Sequence, residues 1–356
     1  MEAFDFNKSM EYFWKNRTMY NESVLMVSND GKLPEASLLY KPTKIISVKN
    51  ARLDKEYIEN VDWFFEDGKL RLTKKSRAPF LTREQLYPAE PREGWTLPRI
   101  GGGYILFQEG HYLHDMQLSV TYTHTGDQWT GPVPVFNKAM LKKTLAILER
   151  KETLKIVLNG DSISAGANAS GLMSVPPFQP DWGHLFVRKL EEVYGARIEF
   201  VNTSKGGETS DWGIQNVDTL VANHHPDLVI LNFGTNDGTC RMPIDRYKNN
   251  IEGIIKKVRS VNSDAEFILI SPLMPNYLAA LPNNPEISFY GEQEKYLQAL
   301  YEIKEDGIVV VDIISIHKEL LKHKKYYDIS GNHVNHPNDF LIRWYAQVLC
   351  TTLIQD

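Results

Sequence analysis

The sequence has only two cysteines, Cys240 and Cys350, among its 356 residues, and they do not form a CxxC pair. This scarcity excludes a zinc ribbon and a disulfide framework, which both need more cysteines at characteristic spacings. The chain also lacks any run of about 18 apolar residues, the length that a membrane-spanning helix requires. Its first residues do not show the basic-then-apolar pattern of a signal peptide. We therefore expect no membrane partner and a cytoplasmic location.

An excess of positive charge is missing as well. The chain has 40 Lys and Arg against 45 Asp and Glu, and its basic residues occur only in short groups. A nucleic-acid partner is therefore not expected. With 42% hydrophobic and 24% charged residues, the composition is that of a globular protein, and the length predicts about two domains.

The first part of the chain shows alternating apolar residues between turn-forming residues. In "MQLSVTY", residues 116–122, every second side chain is apolar, and similar short runs precede it. Many short strands separated by turns predict an all-β domain of the sandwich or jelly-roll type over residues 1–136, with a short helix at its N-terminus. Residues 137–152 then change to helical spacing and predict a helical linker.

The remainder, residues 153–356, alternates short apolar runs with amphipathic segments. This pattern predicts buried parallel strands with helices on both faces, which is a three-layer α/β domain. In such a domain, ligands bind at the carboxyl ends of the strands. The predicted strands are residues 154–158, 198–201, 228–231, 267–270 and 308–311.

Polar, glycine-containing turns follow these strands. "NGDSISAG" contains Ser162, and "SGNHVNHPNDF", just before the last predicted helix, contains His336. A hydroxyl, a base and surrounding N–H donors are the groups that nucleophilic acyl transfer requires. Taken singly, each residue also fits a structural role, because serine is common in turns and His336 precedes a predicted helix start.

Motifs of other enzyme classes do not occur. There is no G-x-S-x-G elbow, no G-x-x-x-x-G-K-[ST] phosphate loop and no H-E-x-x-H metal site. His111 and His114 have a spacing compatible with a metal ion, but they lie in a strand-like pattern without a third ligand nearby. We therefore expect no metal and no cofactor.

Four blocks, in order, resemble the SGNH or GDSL superfamily of esterases and lipases. They are "GDSIS", "NTSKGGETS", "GTND" and "NHPND". The resemblance covers residues 154–353. It implies a flavodoxin-like parallel sheet as the fold and ester hydrolysis through an acyl-serine intermediate as the activity. It places Ser162 as the nucleophile and His336 as the base. It also implies an oxyanion hole made by the amides of Ser162 and Gly207 and the side chain of Asn236.

One position departs from this family pattern. The family usually has an aspartate three residues before the catalytic histidine, where this chain has His333. A histidine cannot stabilise the positive charge of His336 as a carboxylate does. Either another carboxylate supports His336, with Asp328 the nearest upstream, or a backbone carbonyl holds the imidazole in a Ser-His dyad.

The two-part architecture is similar to that of certain carbohydrate esterases with an N-terminal β-sandwich. The resemblance therefore favours a serine esterase acting on a small or oligosaccharide acetyl ester, with Trp182 and Trp212 as candidate platforms for a sugar ring. One alternative is a lipase or thioesterase whose site is covered by residues 276–291. The other is a carbohydrate-binding protein with a non-catalytic α/β domain.

Overall fold

A computed structural model describes residues 4–126 and 128–355. Residues 1–3, 127 and 356, which the predicted domain ranges include, lie outside the described residues. The strands are β1 (Thr18–Leu25), β2 (Val27–Ser28), β3 (Glu35–Ser37), β4 (Pro42–Asn50), β5 (Glu56–Tyr57), β6 (Trp63–Glu66), β7 (Lys69–Leu72), β8 (Leu81–Thr82), β9 (Thr96–Pro98), β10 (Tyr104–Leu106), β11 (Gln117–His124), β12 (Leu154–Gly160), β13 (Ile198–Asn202), β14 (Leu228–Asn232), β15 (Glu266–Ile270), β16 (Ala280–Leu281), β17 (Asn284–Ser288) and β18 (Ile308–Val311).

The α-helices are α1 (Phe6–Ser9), α2 (Arg83–Leu86), α3 (Tyr112–Met116), α4 (Lys142–Glu149), α5 (Trp182–Tyr194), α6 (Ser210–Gln215), α7 (Val217–Leu220), α8 (Thr235–Thr239), α9 (Ile244–Val261), α10 (Gln293–Ile303), α11 (Ile313–His323), α12 (Tyr326–Ile329) and α13 (Asp339–Cys350), with a 3-10 turn at Ala222–His224. In the two described ranges, none of these helices combines the length and the apolar character needed to cross a membrane.

The second half of the chain forms a five-stranded sheet in the order β13-β12-β14-β15-β18. Every neighbouring pair in this sheet is parallel. The strands coincide with the five predicted apolar runs, and the order is that of flavodoxin-like folds. The predicted parallel sheet is therefore confirmed.

Helices cover both faces of this sheet because its strands are apolar on both faces. Ile156 and Ile230 face a hydrophobic cluster that includes α5, α11 and α13. Val157 and Val229, each next to one of these residues in its strand, face a second cluster with α7, α9 and α10. Side chains alternate between the faces of a strand, so continuous apolar runs require this arrangement.

The β-rich half contains two larger sheets. One is antiparallel, in the order β1-β11-β4-β5, and the other has the order β6-β7-β3-β2-β8, in which β2 and β8 are parallel. Strand β11 is buried on both faces, so its apolar alternation does not mark a solvent-facing side. Met116 ends helix α3 instead of entering the strand. A sandwich or jelly-roll arrangement of these sheets stays a prediction.

The two halves share one hydrophobic cluster, which contains Val24 and Tyr122 of the β-rich half and Trp344 of α13. Helix α4 lies inside the predicted linker and buries Leu145 and Leu148 in the same cluster. In addition, Arg343 of α13 donates to the carbonyl of Tyr20 at 2.9 Å and to that of Asn21 at 2.6 Å. The predicted domain boundaries stay predictions, but the halves pack against each other directly.

A buried ion pair also joins the halves. The Nζ of Lys324 lies 2.5 Å from Oε1 of Glu22, and both side chains are fully buried. The hydroxyl of Tyr122 donates to Oε2 of Glu22 at 2.5 Å, and the amide of Leu39 donates to Oε1 at 2.8 Å. Lys324 also donates to the carbonyl of Ser37 at 3.1 Å. Buried charges are tolerated only when they are paired and hydrogen-bonded in this way.

Replacing one partner of this ion pair should destabilise the fold strongly. In Lys324→Met the carboxylate of Glu22 stays buried without its counter-ion, and we expect the free energy of unfolding to fall by about 3–5 kcal/mol. Urea denaturation measures this change. The control is Lys322→Met, because the Lys322 side chain is 67% exposed and pairs with Glu319 near the surface. Equal stabilities of the two variants would contradict the prediction.

Candidate active site

The family-like blocks meet at the carboxyl ends of the parallel strands. Ser162 lies in the turn after β12, Gly207 in the turn after β13, and Asn236 in helix α8 after β14. The first turn lies close to β14 because Gly160 has no side chain. A Cβ at this position would lie 2.4 Å from the carbonyl oxygen of Asn232.

The nucleophile candidate and the base candidate are in contact. The Oγ of Ser162 lies 2.9 Å from Nε2 of His336, although 174 positions separate them in the chain. The His336 side chain is only 11% exposed, so this hydrogen bond is largely shielded from water. The distance is that of a nucleophile paired with its general base.

The other nitrogen of His336 contacts an asparagine that the sequence analysis did not identify. Nδ1 lies 2.9 Å from Oδ1 of Asn168. The orientation of this amide follows from its other bonds, since Nδ2 donates to the carbonyls of Gly110 at 2.9 Å and Gly331 at 3.4 Å. Because Oδ1 can only accept, Nδ1 carries the proton and Nε2 is free to accept from Ser162.

The backbone around Asn168 is adapted to this role. Its φ is +62°, a left-handed conformation that asparagine tolerates better than most residues. Gly331 permits the close approach of the two loops, because a Cβ there would lie 2.3 Å from Cβ of Asn168.

Asp328 does not support His336, so this possibility from the sequence is wrong. Its Oδ1 accepts from the amide of Leu25 at 2.8 Å and its Oδ2 from the amide of Lys325 at 3.0 Å. Burial raises the pKa of Asp328. Through its bond to Leu25, Asp328 connects helix α12 to strand β1. The other possibility from the sequence was a backbone carbonyl that holds the imidazole of His336. In the structure the side-chain oxygen of Asn168 occupies that place.

A carboxylate does reach His336, and it comes from the β-rich half. Oε2 of Glu109, in the segment after β10, lies 3.3 Å from Nδ1 of His336. Burial raises the pKa of Glu109, but hydrogen bonds to His336 and Asn332 outweigh this effect and hold the pKa below its usual value. Sequence reasoning missed Glu109 because it lies far outside the four blocks. The sequence indicated only that a substitute acid was needed, because His333 stands at the position of the family's usual aspartate.

His333 points into the protein, toward the β-rich half. Its Nδ1 lies 3.1 Å from the carbonyl oxygen of Leu106, at the end of β10, and its Nε2 has no hydrogen-bond partner among the described residues. Burial lowers the pKa of His333 to about 4, although the bond to Leu106 opposes this effect. His333 is therefore a neutral donor in the structure.

The candidate oxyanion donors are available at the same edge of the sheet. Within residues 4–126 and 128–355, no acceptor is hydrogen-bonded to the backbone amide of Ser162 or of Gly207. The Nδ2 of Asn236 donates to the carbonyl of Glu208 at 2.9 Å, which uses one of its two protons. This bond orients the side chain and leaves the second proton for another acceptor.

The two tryptophans differ in their surroundings. Trp182 is fully buried, and its Nε1 donates to the carbonyl of Ile163 at 3.0 Å, so its proposed role as a sugar platform is wrong. Trp212 is half-buried in α6, and Nζ of Lys205 lies 5.7 Å from its ring centre.

The two histidines with metal-like spacing have other partners. His111 precedes the short helix α3 and contacts Asp115 at 2.7 Å, whereas Nε2 of His114 lies 2.8 Å from the carbonyl oxygen of Pro176. The strand expected here is therefore a helix. A group of three or more His, Cys, Asp or Glu arranged to hold a metal ion is not found in the described part of the chain.

The model of the GDSL-like lipase/acylhydrolase family matches residues 158–340, slightly more than half of the chain. The chain belongs to this family. The matched range contains both Ser162 and His336, whereas Glu109 precedes it. The β-rich half that supplies Glu109 is thus outside the part shared with the GDSL-like family.

Curated relatives match a shorter stretch of the chain. Esterase TesA from Pseudomonas aeruginosa is 34% identical over 127 residues, which cover 35% of this chain and 57% of that protein. An arylesterase from Vibrio mimicus is 28% identical over 123 residues, covering 35% and 57%. The chain thus spans a little over half the length of the curated relatives it matches.

Solved structures that match part of the chain include a two-domain esterase active on acetylated mannans. It is 21% identical with a TM-score of 0.46, and the match covers 58% of this chain and 51% of that one. A catalytic mutant of an acetylxylan esterase from Geobacillus stearothermophilus is 19% identical with a TM-score of 0.42, covering 55% and 94%.

The depressed pKa of His333 predicts a pH-dependent contribution to stability. Between about pH 6.5 and 4 the unfolded chain takes up a proton at this histidine and the folded chain does not, so acid destabilises the wild type. His333→Gln removes this effect. We expect the free energy of unfolding of the wild type, relative to that of the variant, to fall as the pH is lowered. The decrease should be roughly 1 kcal/mol for each pH unit in this range. Urea titrations at several pH values measure the difference, and a constant difference would contradict the assignment.

Proposed function

We propose that this protein is a serine esterase that removes a short acyl group, acetyl in the first instance, from a carbohydrate ester. The observation that carries the proposal is the 2.9 Å contact between Oγ of Ser162 and Nε2 of His336 at the carboxyl end of the parallel sheet. Membership of the GDSL-like family supports the same chemistry.

In the first half of the reaction, Oγ of Ser162 attacks the ester carbonyl while Nε2 of His336 takes up the hydroxyl proton. The carbonyl oxygen becomes an oxyanion, which the amides of Ser162 and Gly207 and the Nδ2 of Asn236 stabilise. Preorganised donors of this kind lower the barrier most, because they are already oriented when the charge develops. The protonated His336 then gives its proton to the leaving alcohol, and the acyl-serine remains.

Water completes the cycle. His336 takes a proton from a water molecule, which attacks the acyl carbonyl and forms a second oxyanion in the same donor set. Collapse of this intermediate releases the carboxylic acid and returns the proton to Oγ of Ser162. Both halves generate a positive imidazolium on His336, so whatever contacts its Nδ1 affects both steps.

The loop that a lipase would use as a lid is firmly attached in this structure. Residues 276–291 form the hairpin β16–β17, and the amide of Ile100 donates to the carbonyl of Leu278 at 3.0 Å. The Nδ2 of Asn276 donates to the carbonyl of His333 at 2.9 Å. These bonds favour an open site for a polar substrate. The next residue, Tyr277, is 61% exposed beside the histidine loop and offers a ring for sugar stacking.

The nucleophile is tested by Ser162→Ala. We expect this variant to lose esterase activity on p-nitrophenyl acetate and to lose labelling by a fluorophosphonate probe, because no other hydroxyl contacts Nε2 of His336 among the described residues. Ser174→Ala is a suitable control, since Ser174 lies in the same segment. Unchanged hydrolysis by Ser162→Ala would show that the assigned nucleophile is wrong.

The oxyanion hole is tested by Asn236→Ala. Loss of one donor typically lowers kcat by about 10²- to 10³-fold, and we expect KM for p-nitrophenyl acetate to change much less. Steady-state kinetics give both values. A rise in KM at constant kcat would instead make Asn236 a substrate-binding residue.

Substrate class is tested by comparing p-nitrophenyl acetate, p-nitrophenyl decanoate and acetylated xylan. We expect the acetyl substrates to be hydrolysed with the higher kcat/KM. Preference for the decanoate would favour the lipase or thioesterase alternative. A folded protein that binds xylan without turnover or serine labelling would favour the non-catalytic binding protein.

A further inference from the structure

We propose that Glu109 of the β-rich half is the positioning residue whose negative charge stabilises the protonated form of His336. This inference rests on the proposed esterase function, because it assigns the missing acidic member of that site. The GDSL-like region would then depend on the other half of the chain for its catalytic charge.

Two different acceptors face the single Nδ1–H of His336. Oδ1 of Asn168 is the nearer at 2.9 Å, and Oε2 of Glu109 lies at 3.3 Å. The neutral amide holds the ring in its correct tautomer, but it carries no net charge to offset an imidazolium. The carboxylate supplies that charge. The work of one aspartate in a Ser-His-Asp triad is thus divided between two residues.

The carboxylate is held although its side chain is 53% exposed. Its second oxygen, Oε1, accepts from Nδ2 of Asn332 at 3.1 Å. The Oδ1 of Asn332 accepts from the backbone amides of Val334, Asn335 and His336, each at 3.0 Å. Asn332 therefore connects Glu109 to the same loop that positions the catalytic base.

The segment that carries Glu109 is attached on both sides of it. On one side, the carbonyl of Leu106 accepts from Nδ1 of His333 at 3.1 Å. On the other, the carbonyl of Gly110 accepts from Nδ2 of Asn168 at 2.9 Å. Both donors belong to the GDSL-like region. His333, which occupies the position of the family's aspartate, is thus hydrogen-bonded to the end of β10, three residues before Glu109.

Among the described residues, the carboxylate of Asp161 also acts electrostatically on His336. Asp161 is buried, and its Oδ1 accepts from the amide of Ile163 at 2.9 Å. Burial raises the pKa of Asp161 to about 7, so it is only partly ionised at neutral pH. Glu109, with its lowered pKa, is ionised throughout the neutral range. Within residues 4–126 and 128–355, Glu109 is the carboxylate in ion-pair contact with the imidazole.

The test is Glu109→Gln, which keeps the shape of the side chain and removes its charge. We expect kcat for p-nitrophenyl acetate to fall by roughly 10- to 100-fold with little change in KM. The acidic limb of the pH–rate profile should move to lower pH, because protonated His336 is no longer stabilised. The melting temperature should stay within about 2 °C of wild type, since the side chain is half exposed. The control Glu93→Gln removes the same charge from an exposed position before β9 and should leave all three measurements unchanged.

A readout independent of turnover separates this inference from the proposed function. NMR of ¹⁵N-histidine-labelled protein follows the titration of the His336 ring directly, and we expect its midpoint to lie at lower pH in Glu109→Gln. An unchanged midpoint, or unchanged kcat and pH profile in an active enzyme, would overturn the inference. An inactive, unlabelled wild type with a shifted midpoint would reject the esterase function while supporting the charge contact.

Discussion

The hydrogen bond between Ser162 and His336 is the interaction on which the rest of the site depends. It joins the turn after β12, an interior strand of the parallel sheet, to the loop before helix α13. Burial of the parallel strands holds both loops at one edge of the sheet. The packed core of the α/β half thus brings Ser162 and His336 together across 174 positions of sequence.

The α/β half could be predicted well because its signals are local. Five apolar runs became five parallel strands, and the blocks after them placed Ser162, Gly207, Asn236 and His336 at one edge. In the β-rich half, the same reasoning predicted fewer of the structural features correctly. Strand β11 is buried on both faces, and the short helix α3 interrupts an apparent strand pattern, so alternation alone did not define a surface or a boundary.

The support of His336 could not be predicted, because it depends on contacts between distant segments. His333 indicated that the usual acid is missing, but the sequence left open a backbone carbonyl or another carboxylate, of which Asp328 was the nearest upstream. The two oxygens of Asp328 are engaged by backbone amides. Asn168 and Glu109 carry no motif. They become recognisable only when the fold brings the turn after β12 and the segment after β10 to the same imidazole.

The bonds from Arg343 to the carbonyls of Tyr20 and Asn21 have a consequence for synthesis of the protein. These two residues lie at a register shift in β1, which is an edge strand. Arg343, which donates to their carbonyls, leaves the ribosome more than 300 residues later. Until then, the edge of the first sheet is open to pairing with other nascent chains. Chaperone protection of the emerging N-terminal segment should therefore matter most during translation, well before Ser162 and His336 can meet.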